Sequence, residues 1–341
     1  MRIVRNSAFA LGVVAGAAWA ARAAVAARRG KYGFEGRTVL VTGGSRGLGL
    51  VLAREFAKRG ARVAICARNA AALERARLDL SRWAYDVLAV PCDVTSKIEV
   101  DDLIRTVRER RGPIDVLVNN AGVIAVGPME TMTIEDYQES IDTHFWAPLY
   151  TTLAVLPQMR ERGSGRIVNI SSIGGIVSVP HLLPYSAGKF ALTGLSQGLR
   201  AELLKENIYV TTVCPGLMRT GSTRNAEFKG KHRAEHTWFS VSGSLPVVSM
   251  DADRAARQIV AACQRGTAEI VLSLPFKVAA RVHGLMPGTS ANVLGLVNRV
   301  LPAAGGIGTT RARGHESATP VSESFLTALG KRAAERNNEV A

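Results

Sequence analysis

Acidic residues, cysteines and aromatics are all in short supply in this chain. Asp and Glu total 28 against 43 Lys and Arg, so the formal net charge is +15. A balance that basic leaves two polyanionic partners to weigh, nucleic acid and an anionic membrane surface. Aromatics make up only 6% of the residues, and no helix-turn-helix, zinc or RNP-like motif is present, so the reading is no nucleic acid. Cys66, Cys92, Cys214 and Cys263 lie far apart, and no two form a Cys-x-x-Cys pair. That spacing argues against disulfides and metal ligands, and we expect no metal. The four read as small buried hydrophobes in a reducing compartment. No internal repeat or long low-complexity tract occurs. With 341 residues, 47% of them hydrophobic, the chain can bury a sizeable core, as one large α/β domain with extensions or as two small domains.

The charge is unevenly placed. Residues 1–35 carry six Lys/Arg against one acid, and residues 276–341 carry eight against four. Between these ends the pattern alternates. "RTVLVT" (37–42) is a short continuous apolar run, as expected of a parallel strand buried on both faces. A helical stretch follows from Leu48 to Arg59, then "ARVAIC" (61–66) as a second strand and Ala70–Trp83 as a second helix. "YDVLAVPCDV", "IDVLVNNAG", "GRIVNISS" and "IYVTTVCPG" hold four more strands, with amphipathic stretches between them. Strands alternating with helices of this length predict an α/β fold: a Rossmann-like, doubly wound parallel sheet with helices on both faces.

Ligands of such a sheet bind beyond the carboxyl ends of its strands, and the informative residues fall there. After the first strand comes "TGGSRGLG": Thr42, Gly43, Ser45, Arg46, Gly47, Leu48 and Gly49. Its glycines are spaced for a turn that lets backbone approach a pyrophosphate at a helix N-terminus, with one residue more than the common dinucleotide fingerprint. After the second strand no acid is present to take a ribose 2′-hydroxyl. The chain reads "CARN" there, with Arg68, and Arg46 lies in the glycine loop. Two guanidiniums and no carboxylate suit a 2′-phosphate, hence NADP(H). Asp93 and Val94 follow the third strand, Asp93 placed to accept from an adenine amino group. Asn119, Ala121 and Gly122 in "NNAG" form a flat floor for the adenosine half, and Asn119 is equally suited to bracing neighbouring strands.

"TGGSRGLG", "NNAG", "NISS", "YSAGK" and the "PG" at 215–216, in that order and spacing, resemble the classical short-chain dehydrogenase/reductase family over roughly residues 36–270. The resemblance implies roles. Tyr185 is the general acid that protonates a carbonyl oxygen as hydride arrives, or the base in reverse. Lys189, one helical turn on, favours the phenolate through its charge and holds the cofactor ribose. Ser172, thirteen residues before Tyr185, bonds the substrate oxygen, whereas Ser171 in a strand points to the opposite face. Pro215 and Gly216 turn beside the nicotinamide, and Thr220 bonds its carboxamide. One position departs from the family's pattern: "IDTHFWAP" puts His144 where an asparagine is expected. Two readings stay open for it, a modified proton relay or a residue that only fills space.

Outside the core, residues 217–250 form a long stretch of little periodicity, expected to be a substrate lid; Phe228, Trp238 and Phe239 with several bases suit an apolar substrate with a polar end. Residues 275–341 read as a C-terminal helical extension, two amphipathic helices broken at Pro287–Gly288 and then an exposed loop and a short helix. The first 33 residues hold an apolar run, 7–27, interrupted by Arg22 and bracketed by basic residues. It reads as a hydrophobic membrane-anchor helix, with a cleaved signal or a surface-lying helix as alternatives. More bases follow the run than precede it, which places the catalytic domain, 34–274, on the cytoplasmic side. The expectation is thus a membrane-associated, bacterial-type NADPH-dependent reductase of a lipophilic ketone, retinoid, steroid or keto-lipid, and a homo-oligomer by resemblance. The alternatives are a 3-oxoacyl-thioester reductase and a non-catalytic nucleotide-sensing scaffold.

Overall fold

The computed structural model describes residues 32–340 except 85 and 247. The expected anchor, 7–27, lies outside the described residues. Strand β1 (Thr38–Thr42) is buried along its whole length, as a strand covered on both faces must be. Helix α1 (Gly47–Ala57), β2 (Arg62–Ala67), α2 (Ala70–Leu80), β3 (Leu88–Pro91), α3 (Lys97–Arg111) and β4 (Ile114–Asn119) come next in strict alternation. Past a short β5 (Ala125–Val126), α4 (Ile134–Ile141) continues through a π-helical turn, 142–146, into α5 (Ala147–Glu161). Then come β6 (Gly165–Ile170), α6 (Leu183–Leu203) and β7 (Ile208–Cys214).

The main sheet runs β3-β2-β1-β4-β6-β7 and ends on β11 (Glu269–Val271), every pairing parallel. Apolar side chains of α1 and α2 pack on one face with α8 (Ala252–Arg265); those of α3, α5 and α6 cover the other. The strand order reverses between β1 and β4, which opens a crevice at their carboxyl ends. The chain is therefore the doubly wound α/β protein its alternation predicts. β11 is the strand the sequence reading did not foresee. It is three residues long, half exposed at the sheet edge, and starts on a glutamate, so it carries too little apolar signal.

The predicted lid also carries more structure than its pattern suggested. After β8 (Met218–Arg219) and β9 (Glu227–Phe228) it forms α7 (His232–Ser244), and β10 (Met250–Asp251) closes it. α7 buries Glu235, His236, Ser240 and Ser244 alongside Phe239, and polar residues on a buried face erase the hydrophobic period. Helices α9 (Leu274–Leu285) and α10 (Pro287–Asn298) match the expected pair, with Pro287 at the first helical position. Much of the chain beyond α10 is docked rather than an exposed loop: β12 (Ala312–Arg313) pairs with β9, and α11 (Ala328–Arg336) packs on α7 and β8.

A buried ion network fastens this C-terminal stretch and the lid to the core. Asp136, at the start of α4, receives the Lys229 ammonium from the end of β9 and the Arg311 guanidinium at 2.7 Å, with Thr133 N–H at 2.7 Å. Burial opposes ionisation of Asp136, but the bonds from Lys229 and the Thr133 amide outweigh it and hold the carboxyl below its usual range.

Among the described residues no helix is long and apolar enough to cross a membrane. The expectation of a membrane-associated protein with its catalytic domain on the cytoplasmic side is corrected by that finding. α9 and α10 are twelve-residue helices that bury none of their residues, and each is too short to span a bilayer of about 30 Å.

Asp136→Ala leaves Lys229 as a buried charge without its carboxylate, whereas Arg311 keeps Glu139 and Glu227. We expect a stability loss of about 3–5 kcal/mol by urea unfolding. Arg82→Ala removes an exposed partner 3.8 Å from Asp79 and should cost less than about 1 kcal/mol.

Candidate active site

The crevice is built by two turns that interlock. Thr42 Oγ1, at the end of β1, accepts from the amides of Asn120 and Ala121 at 3.0 and 3.1 Å. In return Asn120 Nδ2 donates to the carbonyls of Thr42 and Gly43 at 3.0 and 3.3 Å. A Cβ at Gly49 would stand 2.2 Å from the Gly43 oxygen, and one at Gly43, at φ +63°, 2.9 Å from Ala121 Cα. Glycine is obligatory at both positions. Asn120, which the sequence reading passed over, is the residue that ties the glycine loop to the β4 turn. Asn119 instead braces the fold: its amide donates to Asn169 at 2.9 Å and accepts from Thr151 at 2.7 Å.

The other residues assigned to a cofactor lie around this interlock. Ser45 and Leu48 are buried in the glycine loop, and Val94 and Ala121 face the same small cleft as Thr42. Arg68 is exposed, and Asp93 Oδ1 accepts from Thr95 N–H at 3.0 Å. Arg46 is half exposed, with Nε 3.5 Å from the Glu339 carboxylate. Pro215 receives the Ile173 amide at 2.7 Å, Gly216 lies under the Phe276 ring, and Thr220 Oγ1 donates to Ser222 at 2.9 Å.

β6 and α6 bring Ser172, Tyr185 and Lys189 together. Ser172 Oγ and a Tyr185 ring carbon both lie within 3.4 Å of where a Gly174 Cβ would sit, so the two side chains are neighbours. Ser171 turns the other way, to the Lys189 carbonyl and Thr193, as the strand alternation predicts. Lys189 is buried and its ammonium donates to the Ile170 carbonyl at 2.8 Å, 5.7 Å from the Tyr185 ring centroid. Burial lowers the Lys189 pKa from 10.5 to about 7. Burial raises Tyr185, only partly offset by the bond to Ser172, and Lys189 is not among the causes. With its pKa at about 7, Lys189 is uncharged in the range where Tyr185 titrates, so no ammonium charge offsets the burial of the tyrosine.

His144 sits in the π-helical turn with its ring edge-on to Tyr185 at 5.4 Å. Ser140 Oγ donates its proton to the Pro184 carbonyl at 2.6 Å, so at 3.1 Å it accepts from His144 Nδ1–H. His144 Nε2 accepts from the Val123 amide at 3.3 Å. Both ring nitrogens are thereby engaged and the imidazole is neutral. Burial, then the Lys189 charge, holds its pKa well below 6.5.

Two further groups carried no signal in the sequence. His181, four residues before Tyr185, is bonded at 2.8 Å to Glu235 of α7, whose other oxygen accepts from Trp238 at 2.7 Å; all of this is buried or half-buried. Residues 337–339 fold against the glycine loop, far away in sequence. The "NN" after a short helix signals only a stop, as the left-handed φ of Asn338 bears out, not a destination. Tyr185 also belongs to an apolar cluster with Val126, Leu182, Phe228, Phe239 and Trp238. A separate cavity of ≈ 930 Å³, lined by cations such as Arg257 and Arg281 of α8 and α9, lies at the β11 edge and includes none of the three assembled residues.

These side chains gather beyond the carboxyl ends of a doubly wound parallel sheet, where such folds bind their ligands. Residues 37–229 match the family described as short chain dehydrogenase, and the chain belongs to that family. A Streptomyces coelicolor protein whose name proposes a ketoacyl reductase is 39% identical over 188 residues, 54% of this chain and 72% of its own. The solved actinorhodin polyketide ketoreductase with NADPH is 33% identical, TM-score 0.62, covering 69% of this chain and 94% of its own. L-Sorbose reductase from Gluconobacter frateurii, complexed with NADPH and L-sorbose, is 26% identical, TM-score 0.63, covering 72% and 97%. The chain is accordingly an oxidoreductase that uses a nicotinamide cofactor and acts on the CH–OH group of small molecules.

A lysine that is neutral in the fold and charged in the unfolded chain makes stability rise with pH across the window between the two values. Here the unfolded chain binds the extra proton between about pH 7 and 10.5. Chemical unfolding of the cofactor-free protein should show that rise, and Lys189→Met should flatten it.

Proposed function

We propose that this protein transfers a hydride between NADP(H) and the carbonyl or secondary alcohol of a lipophilic substrate, with Tyr185 as general acid and base. The observation that carries the reading is the meeting of Ser172, Tyr185 and Lys189 beside an apolar cluster to which Tyr185 itself belongs.

The residues present fit the cofactor. The glycine loop leaves bare backbone where any Cβ would collide, and a carboxylate already rests at the start of α1, so an anion is accommodated there. Thr42, Gly43, Ser45, Arg46, Gly47, Leu48 and Gly49 would hold the phosphates, with Arg46 and the exposed Arg68 for a 2′-phosphate. Asp93, Val94, Asn119, Ala121 and Gly122 would border the adenosine, and Pro215, Gly216 and Thr220 the nicotinamide. When bound, the cofactor supplies or takes up the hydride.

The rest falls to the chain. Ser172 Oγ–H donates to the substrate oxygen and aligns it with the Tyr185 hydroxyl, which gives up its proton as charge develops on that oxygen. Lys189 would hold the ribose hydroxyls, and its charge would ease loss of the tyrosyl proton. His144 positions rather than relays: with Nδ1–H on Ser140 and Nε2 on Val123, it fixes the π-turn behind Tyr185 and has no free nitrogen to carry a proton. The apolar cluster favours a substrate with a hydrocarbon body.

A second reading, reduction of a 3-oxoacyl thioester, is favoured by the names of the Streptomyces coelicolor relative and the actinorhodin ketoreductase. A panel of hydrophobic ketones and 3-oxoacyl thioesters, followed by NADPH absorbance, separates the two. On any substrate that turns over, Tyr185→Phe should lower kcat by about 10²–10⁴-fold with NADPH affinity retained. Unchanged turnover would remove the catalytic assignment. Arg68→Asp should weaken NADPH about tenfold or more and leave NADH nearly untouched; equal effects on both would refute the 2′-phosphate role.

A further inference from the structure

Helix α1 starts without help from its own neighbourhood. Its N-cap, Arg46, makes no side-chain capping bond, and its first turn contains no acidic residue. The partner for that positive helix end comes from far along the chain. The Gly47 amide donates to the Asn337 carbonyl at 2.9 Å. Asn338 Nδ2 donates to the carbonyls of Ser45 at 2.7 Å and Ala72 at 2.9 Å, clamping the tail to the glycine loop and α2. Glu339 comes next, with its side chain only 3% exposed. One carboxylate oxygen lies 2.6 Å from where a Gly47 Cβ would be, and the other accepts from Asn225 at 2.6 Å and faces Arg46 at 3.5 Å.

The second glycine of such a loop is small so that backbone can approach a pyrophosphate. At Gly47 that space is taken by a carboxylate. Its surroundings are those of a bound phosphate oxygen: a helix N-terminus, a guanidinium and an amide. We propose that Glu339 is an internal competitor for the phosphate end of the cofactor site. On this view the tail, residues 337–339, sets cofactor affinity, because a dinucleotide must displace the carboxylate from Gly47 and Arg46 before its diphosphate can seat. The inference rests on the reading of the glycine loop as a nicotinamide-dinucleotide site and adds a determinant that lies over a hundred residues beyond the family match, which ends at residue 229.

Two features make the contact displaceable rather than permanent. Burial keeps the Glu339 carboxyl above its usual range, with Arg46 and Asn225 only partly compensating, so the ionised form is held at a cost. Residues 337–339 are also held by polar bonds, to Ser45, Arg54, Ala72, Arg75, Thr220 and Asn225 among others, and place no apolar side chain of their own in the core. Displacement costs NADH and NADPH alike, so the competitor lowers affinity for both; the 2′-phosphate recovers part of the loss by taking over Arg46.

The test is calorimetric titration of the full chain with NADPH, NADH and inorganic pyrophosphate, comparing wild type with Glu339→Gln. The variant should bind each ligand about 3–30-fold more tightly, with kcat at saturating cofactor unchanged. Asn338→Ala loosens the tail by a separate route and should shift affinity the same way, which covers misfolding of either variant alone. Hydrogen exchange gives a second readout: the amides of 334–340 should lose protection when NADPH binds wild type. Unchanged or weaker binding by both variants, with tail protection kept or increased by NADPH, overturns the proposal and makes the tail a clasp. If no variant binds any nicotinamide nucleotide while pyrophosphate still binds, the dinucleotide reading fails and the competitor role falls with it.

Discussion

The interlock between Thr42 and Asn120 is the constraint on which the site depends. A hydroxyl from β1 and an amide from the β4 turn exchange bonds across the strand-order reversal. This holds two backbone turns closer together than any side chain would permit. Buried backbone groups must be paired, and these turns pair with each other, so the crevice stays open instead of collapsing. Everything that reads as chemistry is then referenced to a fixed edge: the glycine loop on one side, and β6 with Ser172 and β7 with Pro215 on the other.

Onto this edge the chain fastens its lid and its C-terminal stretch with buried charge rather than with apolar area. Asp136 gathers Lys229 and Arg311, and Glu235 gathers His181 and Trp238. Groups of this kind contribute little net stability but penalise any alternative in which one partner is left alone. They therefore specify a position for α7 and for the segment around residue 311. The His181–Glu235 contact ends four residues from Tyr185, so the placement of the lid and of the catalytic helix are one problem.

How much of this was legible in the sequence depends on the range of the signal. Six of the seven main strands announce themselves as apolar runs, because burial on both faces demands it. The glycine loop and Tyr185 with Lys189 could be read because a turn and a helix fix their geometry within a few residues. Asn120 was overlooked beside Asn119, since both look alike until the fold shows that one braces strands and the other binds the glycine loop. α7 was hidden by its own buried polar face. Glu339 could not have been found at all: it stands 292 positions beyond Gly47, and its meaning depends on the chain between them folding first. The membrane expectation rested on short-range signals, basic ends beside apolar stretches, and no described helix is long and apolar enough to bear it out.

The two ends of the cofactor crevice are prepared in opposite ways. At the Tyr185 end, three groups stand in unfavourable electrostatic states: a lysine depressed to about 7 and bonded to the Ile170 carbonyl, a tyrosine raised by burial, and a histidine held neutral. No acid offsets the Lys189 charge there, so this end gains from any ligand that brings oxygen acceptors to it. At the phosphate end the opposite holds, because Glu339 already faces Arg46 and the Asn337 carbonyl already takes the Gly47 amide. A ligand that seats across both must give up something at one end to gain at the other. Binding energy realised at Lys189 is then spent in releasing the tail, which couples completion of the Tyr185 end to clearance of the phosphate end.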